Sequence, residues 1–457
     1  FVHSYPHDWR TGKPLIFRAT SQWFCSIEPI REDLINAIHK VKWYPAWGEN
    51  RMVNMIAGRS DWCISRQRAW GVPIPIFYNE DGSPIIEEKV FKHIEDLFRE
   101  YGSNIWYEKS AKELLPEGYT NPLSPNGEFS KEKDIMDVWF DSGSSWKTAL
   151  CERGSKYPSD LYLEGSDQYR GWFNSSLIVS LATNGVSPYQ SVSSHGWVLD
   201  EHGEQMHKSK GNGVDPVKIA NVYGADILRL WTAIVDYHQD VRIGENLIKQ
   251  TSEQYRKIRN TLKFISWNLK DFDGEEAKTF TKVDLYILEK LNLVVKDVIT
   301  SFDRYDFSSA ITEIMTFMSS DLSTFYLDIS KDILYCEDIN SSRRRQVQTV
   351  LYRLGDTLLR LLNPILPFTM DEFNRNLPGE RKSNPQLLDF PTYHEVNHKL
   401  LDEYETLLDA RGEVFRVLEE ARNNKIIGSN QEALVFLPKD NYLINNNYLR
   451  SMLLFKV

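Results

Sequence analysis

The chain has 457 residues, more than one hydrophobic core usually organises, so we expect two or three domains. Hydrophobic residues make up 41% and charged residues 26%, as in ordinary globular proteins. No apolar run approaches the roughly 18 residues of a membrane-spanning helix, and we expect no membrane partner. The net charge of −10 argues against a protein coated by nucleic acid but leaves room for local basic patches.

Cysteine spacing bears on metal and redox chemistry. The four cysteines, Cys25, Cys63, Cys151 and Cys336, lie far apart and form no CxxC pair. A zinc ribbon or a disulfide framework is therefore not expected. Reduced thiols are typical of a cytoplasmic protein, which is the location we predict.

Residues up to about 245 alternate short β-like runs with helices, which indicates an α/β fold with a largely parallel sheet. The apolar run 161–163 precedes a glycine turn, after which 169–182 is predicted as a helix and 192–199 as a strand. Asp215 followed by Pro216 predicts an N-cap and the start of another helix.

Two stretches differ from this pattern. Residues 76–134 are predicted as an insertion, with a hairpin turn at 79–82. Residues 246–457 are predicted to be helical, because apolar residues recur there at helical spacing. Pro364 and Pro367 interrupt this pattern, and a further long helix is expected after them. We expect an antiparallel helical bundle there.

The loop 203–212 is the first candidate for chemistry. Two lysines and a glycine follow a predicted strand, and a lysine ammonium over a polyphosphate stabilises the charge that develops during transfer. A lone lysine loop of this kind is more often a solvated surface loop.

The turn 163–173 is the second candidate. Glu164, Gly165, Asp167 and Gln168 follow a short strand, where α/β proteins commonly bind ligands. Acidic side chains and helix N-terminal amides suit an ammonium group and a nucleotide. An ordinary acidic turn is the alternative.

Other candidates stand alone. Trp139, within 137–145, is either a pocket wall or a core aromatic. Arg66 and Arg68 are either RNA contacts or salt-bridged structural residues, and His195 is more often structural than ligand-binding. Basic residues of the helical region are either solvated or RNA-binding: Arg256, Arg259, Arg422 and Lys425.

These segments together resemble the class I aminoacyl-tRNA synthetases. The loop 205–209 is similar to the family's Lys-Met-Ser-Lys-Ser signature, with Lys208 and Ser209 matching and Gln205 and His207 departing from it. The Ile-Ser-Arg-Gln-Arg and Trp-Phe-Asp-Ser-Gly segments resemble the isoleucine type more than its valine and leucine relatives.

The resemblance implies ATP-dependent activation of L-isoleucine to isoleucyl-adenylate and transfer to tRNA(Ile), with Mg2+ accompanying ATP, no zinc and a monomeric protein. It assigns the catalytic role to Lys208. It places ATP or adenylate binding at Glu164, Gly165, Asp167, Gln168, His195, Met206, Lys208 and Ser209. The amino-acid pocket would consist of Trp139, Gln168 and Trp172, and the basic residues named above would contact tRNA.

The resemblance also implies an organisation. Residues 1–50 would return from an editing insertion, 51–245 would form the second half of a Rossmann-type catalytic domain, and 246–457 would bind the anticodon. The sequence contains no His-x-Gly-His motif and no threonine-rich editing pocket, so we expect a fragment that is inactive alone. A valine or leucine enzyme, or a non-catalytic tRNA-binding protein, remains as an alternative.

Overall fold

The computed structural model describes residues 2–8, 11–207, 211–381, 384–429 and 432–436. Lys208 and Ser209 therefore lie outside the described residues. The chain divides into two compact units, Phe1–His195 and Gly196–Val457. The predicted domain boundaries near 50 and 245 stay predictions.

The first unit combines short strands with helices. Its strands are β1 (Phe24–Cys25), β2 (Lys42–Tyr44), β3 (Trp62–Cys63), β4 (Ser65–Arg66), β5 (Phe77–Tyr78), β6 (Pro84–Ile85), β7 (Ser130–Lys131), β8 (Ile135–Met136), β9 (Tyr162–Gly165) and β10 (Ser191–His195). Its helices are α1 (Arg31–Ile38), α2 (Trp47–Ala57), α3 (Glu88–Tyr101), α4 (Ile105–Glu108), α5 (Ala111–Leu114), α6 (Val138–Gly143) and α7 (Trp172–Asn184).

A parallel sheet in the order β2-β10-β9 lies at the centre of this unit. Val192 of β10 is fully buried and pairs with Trp43 on one side and Tyr162 on the other. Residues 173–181 of α7 are buried throughout, as expected for a helix that packs within an α/β core. The sheet therefore fixes the ends of β9 and β10 side by side.

The stretch 76–134 forms a small structure with its own core around Phe77 and Trp106. Strand β5 pairs with both β6 and β7. The predicted turn at 79–82 is confirmed: Gly82 has φ +82°, which glycine adopts without steric cost.

The second unit is mainly helical. Its strands are β11 (Val198–Leu199) and β12 (Val241–Arg242). Its helices are α8 (Pro216–Tyr223), α9 (Ala225–Ile234), α10 (Glu245–Asn268), α11 (Lys282–Asp303), α12 (Phe307–Thr316), α13 (Leu327–Cys336), α14 (Ser342–Leu362), α15 (Pro367–Arg375) and α16 (His398–Asn423). A π-helical stretch, Phe317–Tyr326, joins α12 to α13. Within the described ranges, no helix is long and apolar enough to cross a membrane.

Two predicted elements need correction. The strand predicted over 192–199 is interrupted, because β10 ends at His195 and β11 begins at Val198. The helix predicted from 169 begins at Trp172, because residues 166–169 form a 3-10 turn. The predicted start at Asp215 is confirmed, since its side chain accepts a hydrogen bond from the Val217 amide at 2.9 Å.

Candidate functional site

The carboxyl ends of β9 and β10 bring several predicted residues together. Glu164 pairs in register with Ser194, and Gly165 pairs with His195. Glu164 is exposed and His195 is half-buried. Because the carboxyl edge of a parallel sheet is where α/β proteins bind ligands, these side chains lie at the position expected for a site.

The 3-10 turn after β9 holds an acidic and an amide side chain. Asp167 lies so close to Gly165 that a Cβ there would come within 2.6 Å of its Oδ1, and within 3.6 Å of the His195 ring. Gln168 donates from Nε2 to the Asp167 carboxylate at 3.0 Å. The glycine therefore lets the carboxylate and the imidazole approach the same point of the backbone.

A second glycine allows Gln168 and Trp139 to meet. A Cβ on Gly171 would lie 2.6 Å from both Gln168 Oε1 and the Trp139 ring. The same Gln168 oxygen accepts the backbone N–H of Trp172 at 2.9 Å, which fixes the amide at the start of α7. The structure thus places Gln168 and Trp139, two residues predicted for one pocket, around a shared backbone position.

Trp172 is held by three contacts. Its ring stacks on Tyr162 with centroids 4.0 Å apart and an interplanar angle of 11°. Its Nε1 donates to the Ser142 carbonyl at 3.1 Å and to Ser145 Oγ at 3.2 Å. Burial raises the pKa of Tyr162 to about 12, so the phenol beneath the indole stays neutral at physiological pH.

Helix α6, which carries Trp139, is anchored by Asp137. This buried carboxylate accepts the Trp139 amide at 3.3 Å and the Trp62 indole N–H at 3.0 Å, and it pairs with Arg66 at 2.9 Å. Arg66 therefore has a structural role. Its tRNA role, like that of the exposed Arg68, stays a prediction.

In the second unit, Asn212 ties together the described part of the signature-like loop. Its Oδ1 accepts the His207 amide at 2.9 Å, and its Nδ2 donates to the Asp200 carboxylate at 2.8 Å and the Gln205 carbonyl at 3.2 Å. The Asn212 hydrogen bond lowers the pKa of Asp200. Met206 packs against an apolar cluster around Trp231, which gives it a structural role in addition to its predicted one.

The predicted RNA-binding residues of the helical region are largely engaged with carboxylates. Arg256 pairs with Glu253 at 3.2 Å, Arg259 pairs with Glu372 at 2.8 Å, and Arg422 pairs with Glu419. Lys425 is exposed at the end of α16, with φ +57°. Their tRNA contacts stay predictions.

The sequence did not single out Tyr162, Ser142 or Asp137, which position the predicted tryptophans. Tyr162 and Ser142 contact Trp172 from 10 and 30 positions away, and no local pattern reveals such pairs. Asp137 instead caps α6 two residues before Trp139, which is a local N-cap signal that the sequence offered. The apolar run 161–163 before the glycine turn indicated a short strand, but not the ring that would stack on Tyr162.

Two family models match the chain. "tRNA synthetases class I (I, L, M and V)" matches residues 8–244, and "Anticodon-binding domain of tRNA ligase" matches residues 284–437. The chain belongs to the class I tRNA synthetases of the isoleucine, leucine, methionine and valine group. The predicted fold class, an α/β catalytic part followed by a helical anticodon-binding part, is thereby confirmed for this class I synthetase.

The curated relatives that the chain matches include isoleucine–tRNA ligases. The class I synthetase is 53% identical over 449 residues to an isoleucine–tRNA ligase of Geobacillus kaustophilus (strain HTA426), covering 96% of this chain and 49% of that protein. It is 53% identical over 443 residues to the Bacillus cereus (strain B4264) isoleucine–tRNA ligase, covering 95% and 48%. The chain thus spans about half the length of the curated relatives it matches.

Solved structures agree in fold. Mycobacterium tuberculosis methionyl-tRNA synthetase in complex with methionyl-adenylate superposes with a TM-score of 0.59 at 19% identity, covering 81% of this synthetase and 66% of that chain. The Agrobacterium radiobacter K84 LeuRS-tRNA-LeuAMS complex superposes with a TM-score of 0.51 at 22% identity, covering 75% and 43%. At these identities the likeness concerns the fold.

Proposed function

We propose that the whole protein is an isoleucine–tRNA ligase, which activates L-isoleucine with ATP and transfers it to tRNA(Ile). The 53% identity to isoleucine–tRNA ligases along almost the entire chain carries this proposal. The cluster of Glu164, Asp167, Gln168 and His195 at the carboxyl edge of the sheet supports it, because this edge suits an adenylate.

The reaction has two steps. An isoleucine carboxylate oxygen attacks the α-phosphorus of ATP, the bond from that phosphorus to the bridging oxygen breaks, and pyrophosphate leaves. A terminal ribose hydroxyl of the tRNA then attacks the adenylate carbonyl, losing its proton as AMP departs. Neither step needs a nucleophilic side chain, so catalysis consists of positioning and charge stabilisation.

Each side chain at the sheet edge would contact a different part of the substrates. Glu164 and His195 would contact the adenylate, Asp167 the ribose hydroxyls, and Gln168 the amino-acid end. The contact that Gln168 makes with the Trp172 amide supports such a positioning role, because it orients the Gln168 amide before substrate binds.

Two aromatic side chains would bound the aliphatic pocket. Trp139 lies against Gly171, and Trp172 is fixed by Tyr162 and Ser142. Indole faces held this firmly offer a rigid apolar surface to a branched side chain.

Lys208, with Ser209, would stabilise phosphate charge as pyrophosphate leaves. Mg2+ would enter with ATP and neutralise charge on its phosphates. We propose a monomer in the cytoplasm, and the expected lack of zinc stays a prediction.

The test is amino-acid-dependent exchange of pyrophosphate into ATP by the whole protein, with isoleucine, valine and leucine compared, followed by charging of tRNA(Ile). We expect isoleucine to give the highest kcat/KM and Glu164→Gln to lower it. Glu152→Gln, which alters an exposed carboxylate paired with Lys147, serves as the control. Preference for valine or leucine, or charging of no tRNA, would overturn the proposal.

A further inference from the structure

A cavity of about 480 Å³ in the first unit is lined by cationic and amide side chains. Arg51, Arg59 and Arg170 contribute guanidinium groups, and Asn54 and Asn174 contribute amides. Among the described residues, no carboxylate lines it. None of the first unit's residues assigned above to the adenylate or the amino-acid pocket lines it either.

Two buried donor groups at this cavity have no acceptor among the described residues. Asn174 is only 1% exposed, and its Nδ2 makes no hydrogen bond; the same holds for Arg59 Nε. The Asn174 oxygen, by contrast, is used, because it accepts from Arg59 Nη1 at 3.0 Å. Buried N–H donors in folded proteins nearly always have a hydrogen-bond acceptor, so an acceptor is expected for both of these groups.

The arginines are held in place and remain charged. The Arg51 guanidinium lies 5.0 Å from the centroid of the buried Tyr169 ring and 5.7 Å from that of Trp47, a geometry that favours a cation. Burial lowers the pKa of Arg59, while the nearby Asp137 acts in the opposite direction. Arginine nonetheless stays protonated at neutral pH.

Arg170 completes the group from the turn before α7. It is exposed and lines the same cavity. Asp137 offsets part of the charge of Arg59. No carboxylate among the described residues lines the cavity itself, however, so the three cations facing it repel one another, which an anion would relieve.

We propose that Arg51, Arg59 and Arg170, with Asn174, form a binding site for a phosphate group. Phosphate offers several acceptor oxygens to guanidinium forks, and it matches a donor-rich, carboxylate-free lining better than a neutral ligand does. The phosphate comes either from an RNA backbone or from a free phosphate ion. Trp47, 44% exposed beside Arg51, adds an aromatic surface typical of RNA-binding sites.

The experiment uses the whole protein and two probes, inorganic phosphate and a tRNA(Ile) transcript. Binding of each is measured for the unmodified protein, for Arg170→Gln and for Arg51→Gln. Both substitutions lie at exposed positions, which keeps loss of folding from obscuring the result, and circular dichroism checks it. Arg153→Gln removes the same charge from an exposed position of the same unit and is the matched control.

We expect each cavity variant to weaken binding about tenfold, as for the loss of one charge-assisted hydrogen bond, while the control changes little. Weaker binding of tRNA, with a salt-dependence slope reduced by about one, identifies an RNA phosphate. Weaker binding of phosphate alone identifies the free ion. Unchanged binding of both probes, or an equal effect of Arg153→Gln, would overturn the proposal. The tRNA arm rests on the proposed function; the phosphate arm does not, so a protein that charges no tRNA still tests the cavity.

Discussion

Asp137 is a buried side chain that positions Trp139 of the candidate site. It is 4% exposed, and its carboxylate receives the Trp139 amide, the Trp62 indole and the Arg66 guanidinium. Three donors compensate the loss of hydration that burial of a carboxylate costs. Trp139 therefore depends on a residue two positions earlier for its place.

Removing this carboxylate should destabilise the fold. Asp137→Ala leaves Arg66 and the Trp62 N–H without their partner, and we expect the free energy of unfolding to fall by about 3 kcal/mol. Urea titration followed by circular dichroism measures it. Asp160→Ala is the control, because its pair with Lys156 is exposed and should change stability by less than about 0.5 kcal/mol. Equal losses in the two variants would contradict the role given to Asp137.

Gly171 gives a second prediction at the scale of a residue. Alanine there would place a Cβ 2.6 Å from both Gln168 Oε1 and the Trp139 ring, so both side chains must move. We expect Gly171→Ala in the whole protein to lower kcat/KM for isoleucine in pyrophosphate exchange about a hundredfold, because small displacements at a reacting centre cost that much.

Gly412→Ala is its control. This glycine lies in α16, and a Cβ there meets nothing within 4 Å, so exchange should be unchanged. A Gly171→Ala protein with an unaltered kcat/KM for isoleucine would show that Gln168 and Trp139 do not act at the pocket.

Helices α10 and α15 are linked by an ion pair between Arg259 and Glu372. Two hydrogen bonds of 2.8 Å join the guanidinium to the carboxylate, and Arg259 lowers the pKa of Glu372 below its ordinary value of 4.5. A lowered carboxyl pKa means that the folded protein binds the proton less tightly than the unfolded chain. The pair therefore stabilises the fold above pH 4.5, and this contribution is lost as the pH falls through the folded-state pKa.

We expect Arg259→Gln to reduce the free energy of unfolding by less than about 1 kcal/mol at pH 7, because both side chains are about half exposed. The difference from the unmodified protein should shrink as the pH is lowered through the folded-state pKa of Glu372, which urea titrations at successive pH values measure. Arg375→Gln removes the same charge from a pair within α15 and should have a smaller effect. A difference that stays constant as the pH is lowered would contradict this account.

Elements set by local chemistry were predictable from the sequence. Three features follow from the chemistry of single residues: the side chain of Asp215 caps α8, Gly82 adopts the positive φ of its turn, and α14 ends before Pro364, which cannot continue a helix. The break after His195 was not predicted, although Gly196 inside the expected strand is the kind of residue that marks a bulge or a close backbone approach. Its partner was not predictable: a Cβ on Gly196 would lie 2.3 Å from the backbone of Gln239, 43 positions away.

For the candidate site, the residues were predictable from the sequence, but their arrangement was not. Glu164, Asp167 and Gln168 could be proposed as ligand-binding residues, because a glycine turn after a strand is a local signal of a binding site. Their arrangement could not, since the Gly171 contact with Trp139 and the stacking of Trp172 on Tyr162 arise only from packing. Of the cavity residues, Arg51 and Arg59 lie in and just after α2 at helical spacing, whereas Arg170 and Asn174 join them only in the folded unit.

For the molecule as a whole, a net charge of −10 must be reconciled with the proposed binding of tRNA, a polyanion. In the helical unit, Arg256 is paired with Glu253, so the pair presents little net charge to a phosphate. Lys263 and Lys270 flank the Trp267 ring instead, at 4.3 and 5.8 Å from its centroid, and Trp267 is 59% exposed. Cations beside an exposed ring suit RNA, because bases stack on the ring while the cations contact the backbone.

We therefore expect Lys263→Gln to weaken binding of tRNA(Ile) by the whole protein more than Arg256→Gln does, although both remove one positive charge. Lys263 would contact a phosphate, so its loss should also reduce the slope of log affinity against log salt by about one. Arg256→Gln should leave that slope unchanged, because its charge is already balanced by Glu253. Binding titrations at several salt concentrations measure both quantities. Equal slopes for the two variants would mean that the surface around Trp267 does not contact the tRNA backbone.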